Sequence, residues 1–372
     1  MVTLKEVKTK KELQTFVKFP FELYNNSKYW VPPIIRQEMK TFDTKENPVF
    51  KDAEARLFLA YKNNVIVGRI AAIANWLEIK NQNLKKMRFG WFDFIDDFEV
   101  SKLLLDKVSE IGRQKELEFV EGPVGFSNLD KVGVMTEGFE NIGTMITWYN
   151  HPYYMKHYEA AGYKIEKEYS ESKFPFDNVK PEFFIKAQEV IKKRYQLKAL
   201  KFTKTSEVMP YADKMFALFN ESYASLSSFV EINYVQKEYF KKKFISFVNP
   251  EYIKFVVDKD DKLVGFAIVM PAFSKALKKM NGKLFPFGFR HIIHAKKHSK
   301  DVIFYLIGIH PDYQNKGVHA VIFNEYYETF KEKGIKTCYR TPELEDNTAI
   351  KQIWKHFRPE VYKRRKTFRK AL

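Results

Sequence analysis

Cysteine is almost absent from this chain of 372 residues. The single Cys338 leaves no internal disulfide to form, which suits a reducing compartment. Long apolar runs are missing too, and nothing approaches the roughly 20 residues that a membrane span requires. The first residues, Met1-Val-Thr-Leu-Lys-Glu, lack the apolar stretch of an export signal. A cytoplasmic location is therefore expected, with peripheral attachment at the inner membrane face as the furthest departure. Acidic residues are scarce relative to basic ones, 46 against 64, so the formal net charge is +18. Such a field draws nucleic acid, anionic lipid or a phosphate-rich cofactor, and does not choose among them. Apolar residues are plentiful at 45%, with 35 Phe and 21 Tyr, so the chain folds. Rings in that number fill a core and equally line a pocket for an apolar ligand. The length favours two domains.

Internal similarity supports that division. Leu57 to Ala72 reads as a hairpin turning at Asn63-Asn64, with Gly68 near its end. Ile253 to Val269 reads the same way, turning at Asp260-Asp261, with Gly265 in the matching place. The two glycines lie 197 residues apart. Tyr158 and Trp354, each near the end of a short helical pattern, lie 196 apart, and Asn150 and Asn347 precede them. Two landmarks with nearly one offset imply a tandem duplication. In the second half, Val302–Ile309 reads as a strand, Ala320–Lys333 as a helix and Ile335–Arg340 as a strand. In the first half, Phe89–Phe94, Glu99–Gln114 and Leu117–Glu121 repeat that order. The predicted class is therefore α/β, with mixed (α+β) sheets and a βαβ unit in each half. The domains are expected at 1–175 and 176–372, joined through Ser172–Lys180, with a helix over Pro181–Gln196.

The strand Val302–Ile309 runs into His310-Pro-Asp-Tyr-Gln314-Asn315-Lys316-Gly317-Val318-His319-Ala320, where a helix begins. Free N–H groups and the positive end of the helix dipole converge at such a junction, which suits a pyrophosphate. Gly317 lets the backbone approach an anion closely, and Lys316 adds charge. The first half lacks this loop. Its counterpart, Phe94-Ile-Asp96-Asp97-Phe-Glu99, holds three carboxylates that repel phosphate.

Ile309-His310-Pro311 followed by Gln314-x-x-Gly317-x-His319 resembles motif A of the GNAT superfamily of N-acyltransferases, with His319 where Gly or Ala is usual. Asn347 to Trp354 resembles a second GNAT helix, with Trp354 replacing the usual Tyr. An indole cannot serve as the acid which that tyrosine often supplies. The resemblance implies a tandem GNAT-like fold and coenzyme A, or acyl-CoA, as cosubstrate. Gln314, Asn315, Lys316, Gly317, Val318, His319 and Ala320 would hold it, with Asn347 and Trp354 nearby. The backbone at Gly308 and Ile309 would bond the pantetheine and polarise the thioester carbonyl. For the base that takes the amine proton, His310 is the first candidate and Tyr305 the second.

Further stretches narrow the resemblance. They are Asn47 to Tyr61 with Val67-Gly68-Arg69-Ile70, Gly90 to Asp97, Glu121 to Asn128, Glu137-Gly-Phe139 and Tyr149 to Tyr154. Together they resemble tandem GNAT-like proteins that include bacterial ceramide synthases, which join an acyl thioester to a sphingoid amine. That implies acyl-CoA or an acyl carrier protein as donor and an amine, of sphingoid type, as acceptor. Ala272–Lys300 carries eight Lys/Arg and no Asp or Glu, interleaved with Phe273, Phe285, Phe287 and Phe289. This suits an anionic membrane surface. The same composition suits RNA, less favoured, or an ordinary solvated loop. His291, His294 and His298 have helical spacing but no Cys or carboxylate joins them, so no metal is expected. The basic tail Lys363–Lys370 reads as a last strand and a frayed end. Two other functions remain open: a Fem-type transferase using aminoacyl-tRNA, and a degenerate GNAT pair that binds without catalysis.

Overall fold

The computed structural model of the chain describes residues 1–127, 129–224, 229–242 and 248–372. Asn128 and the side chain of Ala349, both within quoted motifs, lie outside that description. Two compact units emerge. The first comprises Met1–Ser170, Ser274–His291 and Tyr362–Leu372; the second comprises Glu171–Phe273 and Ile292–Val361. A single division after residue 175 is what the sequence suggests, but the first unit also takes two segments from beyond it.

The first unit opens with β1 (Val2–Glu6), α1 (Lys10–Leu23) and α2 (Ile35–Thr41). An antiparallel meander follows: β2 (Ala53–Lys62), β3 (Val65–Asn75), then, after α3 (Trp76–Gln82), β4 (Lys86–Phe94). Asn63 and Asn64 both have positive φ at the β2–β3 turn, as its two-residue length demands. Next come α4 (Phe98–Gln114), β5 (Phe119–Gly122), β6 (Val134–Glu137), α5 (Tyr154–Ala160) and β7 (Lys164–Pro175). One sheet face packs Phe58, Ala60 and Ile70 against Val100, Leu104 and Val108 of α4. The other packs Leu57, Leu59 and Ala71 against Phe16 and Val17 of α1. Alternate residues of β2 thus serve opposite faces.

The second unit runs through α6 (Pro181–Tyr195), β8 (Lys198–Leu200), α7 (Thr205–Val208), α8 (Ala212–Tyr223), α9 (Tyr234–Phe240), β9 (Ile253–Val257) and β10 (Leu263–Pro271). After α10 (Ser274–Met280) and α11 (Gly288–His298) come β11 (Asp301–Ile309) and α12 (Val318–Lys333). The chain closes with β12 (Thr337–Arg340), β13 (Glu343–Leu344), α13 (Thr348–Trp354) and β14 (Glu360–Ala371). Here the strand order is β8-β9-β10-β11-β12, and only β11–β12 is parallel.

The repeated glycines have one cause. A Cβ on Gly68 would meet Leu104 and Val100 of α4 at 2.8 and 2.9 Å. A Cβ on Gly265 would meet Val318 of α12 at 3.0 Å. Each glycine lies where the helix of its βαβ unit crosses the sheet, and a side chain there would hold the helix off.

Two expectations change. Ser172–Lys180 is no linker. Strand β7 continues to Pro175, where Phe174 pairs with Cys338 of β12, and a short 3-10 turn follows at Phe176–Asn178. Nor is the basic tail frayed. β14 pairs with β5 from Phe368↔Gly122 to Ala371↔Phe119, inside the first unit. Lys363 and Arg365 are each 1% exposed. Carbonyls receive them: Lys363 Nζ donates to Ile142 O at 2.7 Å and Arg365 Nη1 to Gly133 O at 3.3 Å.

Lys254 of β9 is buried beneath α12, donating to Thr329 Oγ1 at 2.8 Å. Burial pulls its ammonium down to about 8. Because the unfolded chain binds that proton up to about pH 10.5, the unfolded state holds more protons between pH 8 and 10.5. Stability should therefore rise across that window, by on the order of 2–3 kcal/mol. Denaturant unfolding of the native protein against Lys254→Met, at pH 7.5 and pH 10, should show the rise in the native protein alone.

Candidate acyl-donor site

Strand β11 keeps its partner β10 along its whole length, up to Gly265↔Ile309. With β12 it pairs only from Asp301↔Thr337 to Phe304↔Arg340. Beyond Phe304 the β12-facing edge of β11 is open to that strand. At the parting point the β10–β11 register slips, because Ile268 faces Leu306 and Val269 faces Phe304. Tyr305 is the extra residue, a β-bulge that bends the strand.

The backbone after the bulge is held by side chains. Ile307 C=O accepts the hydroxyl of Tyr223 at 3.1 Å, and Ile309 C=O accepts Gln314 Nε2 at 3.2 Å. Both carbonyls thus turn away from β10, and the N–H of each residue shares that side. Burial pushes the Tyr223 phenol up to about 12, so it remains a donor at neutral pH. His310 extends the β10 pairing by one bond, its N–H donating to Val264 O at 2.9 Å.

The chain then turns through a 3-10 segment, Pro311–Tyr313, into α12. Asn315 and Gly317 take φ of 59° and 79°, and this pair of left-handed residues aims the helix start. Gly317 is the N-cap and offers no side-chain acceptor, and the first turn of α12 carries no acid. Ala320 N–H turns back to Gly317 O at 2.8 Å. The N–H groups before it begin a helix and have no carbonyl a turn earlier to bond, so they and the dipole remain available to an anion. Gln314, Asn315 and Lys316 are exposed, whereas Val318 and Ala320 point into the core and can offer backbone only. Lys316 Nζ rests 5.6 and 5.5 Å over the rings of Tyr195 and Tyr313. His319 is half-buried, its ring 6.3 Å from that of Phe323 one turn on. These residues fit a pyrophosphate: backbone donors ahead of Ala320, one cation and no opposing carboxylate in the helix's first turn.

No known family profile matches the chain. It is 22% identical to the protein YghO of Escherichia coli K12, over 98% of this chain and 94% of that one. It is also 22% identical to the bacterial ceramide synthase of Caulobacter vibrioides, over 98% and 96%. A tandem GNAT protein from the clavulanic acid biosynthesis pathway superposes with a TM-score of 0.57 at 11% identity, covering 100% of this chain and 98% of that one. The chain has the tandem GNAT fold.

Within the tandem GNAT fold the second unit brings together Tyr305, Gly308, Ile309, His310 and Gln314 to Ala320 along one strand, loop and helix start. His310 is buried and doubly engaged. Its Nδ1 accepts the N–H of Asp312 at 3.2 Å, which leaves the ring proton on Nε2 in the neutral form. Nε2 faces Glu221 Oε2 at 3.3 Å, and that carboxylate is half-exposed. Glu221 and Tyr223 of α8 were invisible to sequence reasoning, since more than eighty residues separate them from the loop and no motif marks them.

Asn347 and Trp354 engage other partners within the second unit. Asn347 Oδ1 caps α13, accepting Ile350 N–H at 3.2 Å. Trp354 is 2% exposed. Its ring packs 4.9 Å from Phe304 and 5.0 Å from Phe323, with the Arg340 guanidinium 4.7 Å over it. Phe304 and Arg340 are the last β11–β12 pair, so Trp354 stands at the throat of the parting. Its Nε1–H meets no acceptor among the described residues.

The first unit repeats the parting and then blocks it. β4 pairs with β5 only from Lys86 to Arg88, and Trp91 has φ 45° at the corresponding bulge. The N–H and C=O of Phe94 are taken by the hydroxyls of Tyr154 and Tyr153. Asp97 caps α4 and pairs with Lys62, while Glu99 accepts Val2 N–H at 3.1 Å. The helix start is thus occupied by its own carboxylates. Asp96 Oδ1, His157 and Ser101 Oγ form a chain of bonds, 2.8 and 2.7 Å long. It resembles a hydrolytic triad turned inside out. Ser101 is fully buried and Asp96 is the member at the surface, so no substrate reaches the hydroxyl.

A Cβ at Gly317 would enter left-handed backbone and meet Ile191 of α6 at 2.5 Å. Gly317→Ala should therefore lose about 1–2 kcal/mol of stability. A urea midpoint lowered with an unchanged slope would show it.

Proposed function

We propose that this chain is an acyl-CoA-dependent N-acyltransferase with one cofactor cradle, at the junction of β11 and α12. The observation that carries the reading is the open edge of β11 after Tyr305, running directly into an uncapped helix start. The N–H groups of α12's first turn and Lys316 would hold the phosphates of coenzyme A or of an acyl carrier protein's prosthetic arm. The outward N–H groups of Ile307 and Ile309 would hold its amide-rich arm and polarise the acyl carbonyl. The bound thioester supplies the activated acyl group.

An attacking amine must be neutral and must lose a proton as the amide forms. Glu221, beside His310, offers the acceptor. His310 alone does not, because both its ring nitrogens are engaged. The candidate base is therefore the Glu221–His310 pair, with Tyr305 at the bulge as the second candidate. Trp354 cannot donate a proton to the leaving thiolate as an acid. A hydrogen bond or solvent has to stabilise it.

The proposed acceptor is a long-chain amine of sphingoid type. The Caulobacter relative named a ceramide synthase, which aligns over nearly the whole chain, supports that choice. Mass spectrometry of lipids extracted with the purified protein tests the acceptor directly.

Calorimetric titration with CoA and acyl-CoA tests the cradle. The native protein should bind, and Lys316→Glu should weaken binding roughly tenfold or more. Glu221→Gln should keep the affinity and lower kcat for amine acylation by roughly 100-fold. Absence of any CoA or acyl-CoA binding by the native protein would sink the reading. Salt-sensitive tRNA binding in its place would instead indicate an aminoacyl-tRNA-dependent transferase.

A further inference from the structure

Between α10 and α11 the chain forms a projecting tip, Lys283 to Arg290, which belongs to the first unit. Its base is fixed. Lys278 Nζ donates to the carbonyls of Ser27, Lys28 and Trp30, at 3.4, 2.5 and 3.2 Å. Ser274 Oγ donates to Gly143 O at 2.7 Å, and Ile35 N–H to Gly282 O at 3.1 Å. Gly282 lies so close to the ring of Phe21 that a Cβ would stand 2.5 Å from it.

From that anchored base the tip presents apolar surface to solvent. Phe285 is 64% and Phe287 63% exposed, with Pro286, also exposed, between them. No other phenylalanine among the described residues is as exposed; Phe183 follows at 47%. An apolar triplet held out in water costs free energy unless something covers it. The charges within the segment are of one sign. Lys279, Lys283 and Arg290 are exposed, Arg290 lying 5.2 Å over the Phe287 ring, and residues 272–300 contain no Asp or Glu.

We propose that this tip is a membrane-docking wedge: Phe285, Pro286 and Phe287 insert into the interfacial zone of an anionic bilayer, and Lys279, Lys283 and Arg290 meet its phosphates. Phenyl rings bring no polar group to the headgroup level, so burying them among acyl chains leaves nothing unsatisfied. A segment that carries cations and no carboxylate complements an anionic leaflet. The surface stands independently of the enzymatic reading, since none of these residues belongs to the acyl-donor site.

Flotation of the full chain with vesicles decides the matter. Vesicles of phosphatidylcholine with one third phosphatidylglycerol should carry the protein, pure phosphatidylcholine far less, and added salt should weaken the association. Phe285→Ser with Phe287→Ser should reduce binding roughly tenfold or more at unchanged melting temperature. Lys279→Glu with Lys283→Glu should reduce it by a similar roughly tenfold factor on anionic vesicles alone. Failure of the native protein to float with anionic vesicles overturns the proposal. Equal binding by the serine variant does so too, as does binding of single-stranded RNA with no affinity for vesicles.

Discussion

The separation of a strand from its parallel neighbour is the constraint on which this molecule turns. A central strand that loses one partner exposes backbone donors and acceptors that must be satisfied. In each unit a bulge produces this condition just before the strand ends. In the second unit, side chains of Tyr223 and Gln314 take the carbonyls of Ile307 and Ile309, while the strand continues into a helix start with no anion of its own. In the first unit, two tyrosine hydroxyls close the same edge, and Asp97 and Glu99 neutralise the helix start. One architecture thus yields a receptive junction in one copy and a sealed one in the other.

The sealed copy is also the more heavily charged inside. Glu78 lies between Lys86 and Arg88, and Lys86 reaches Glu121, with all four side chains buried. Burial opposes each charge, and the opposing partners hold Glu78 and Glu121 below their usual carboxylate range. Arg69 and Asp93 form a second buried pair, to which Tyr24 adds a hydrogen bond of 2.7 Å. These groups brace the short β4–β5 pairing and the bulge above it. A scaffold braced in this way suits a unit whose own edge is shut.

The first unit is not complete in its own half of the sequence. Its sheet takes β14 from the end of the chain, with Phe368 stacked 4.4 Å from Tyr158. It also takes α10 and the projecting tip. The placement of β14 in the first unit makes the halves inseparable in sequence. It also explains why a basic C-terminal segment, which reads as solvent-facing, is buried and bonded to carbonyls.

Local signals were legible from the amino-acid order. Positive-φ turns at Asn63-Asn64 and Asp261, the Gly68 and Gly265 crossings, and the strand–loop–helix around Gln314 to Gly317 all depend on neighbours within a few residues. Periodicity and turn chemistry report such interactions directly. The mixed α/β class and the duplication were therefore fixed by sequence. What only the tertiary structure decided was partnership across distance. It placed Glu221 beside His310, Tyr223 on the bulged strand, Trp354 in an aromatic core and β14 in the first unit's sheet. It also made Ser172–Pro175 a strand, despite its linker-like composition, because β12 supplies hydrogen bonds there. Pairing of this kind depends on which edges the folded sheets leave open, and no local pattern of residues encodes that.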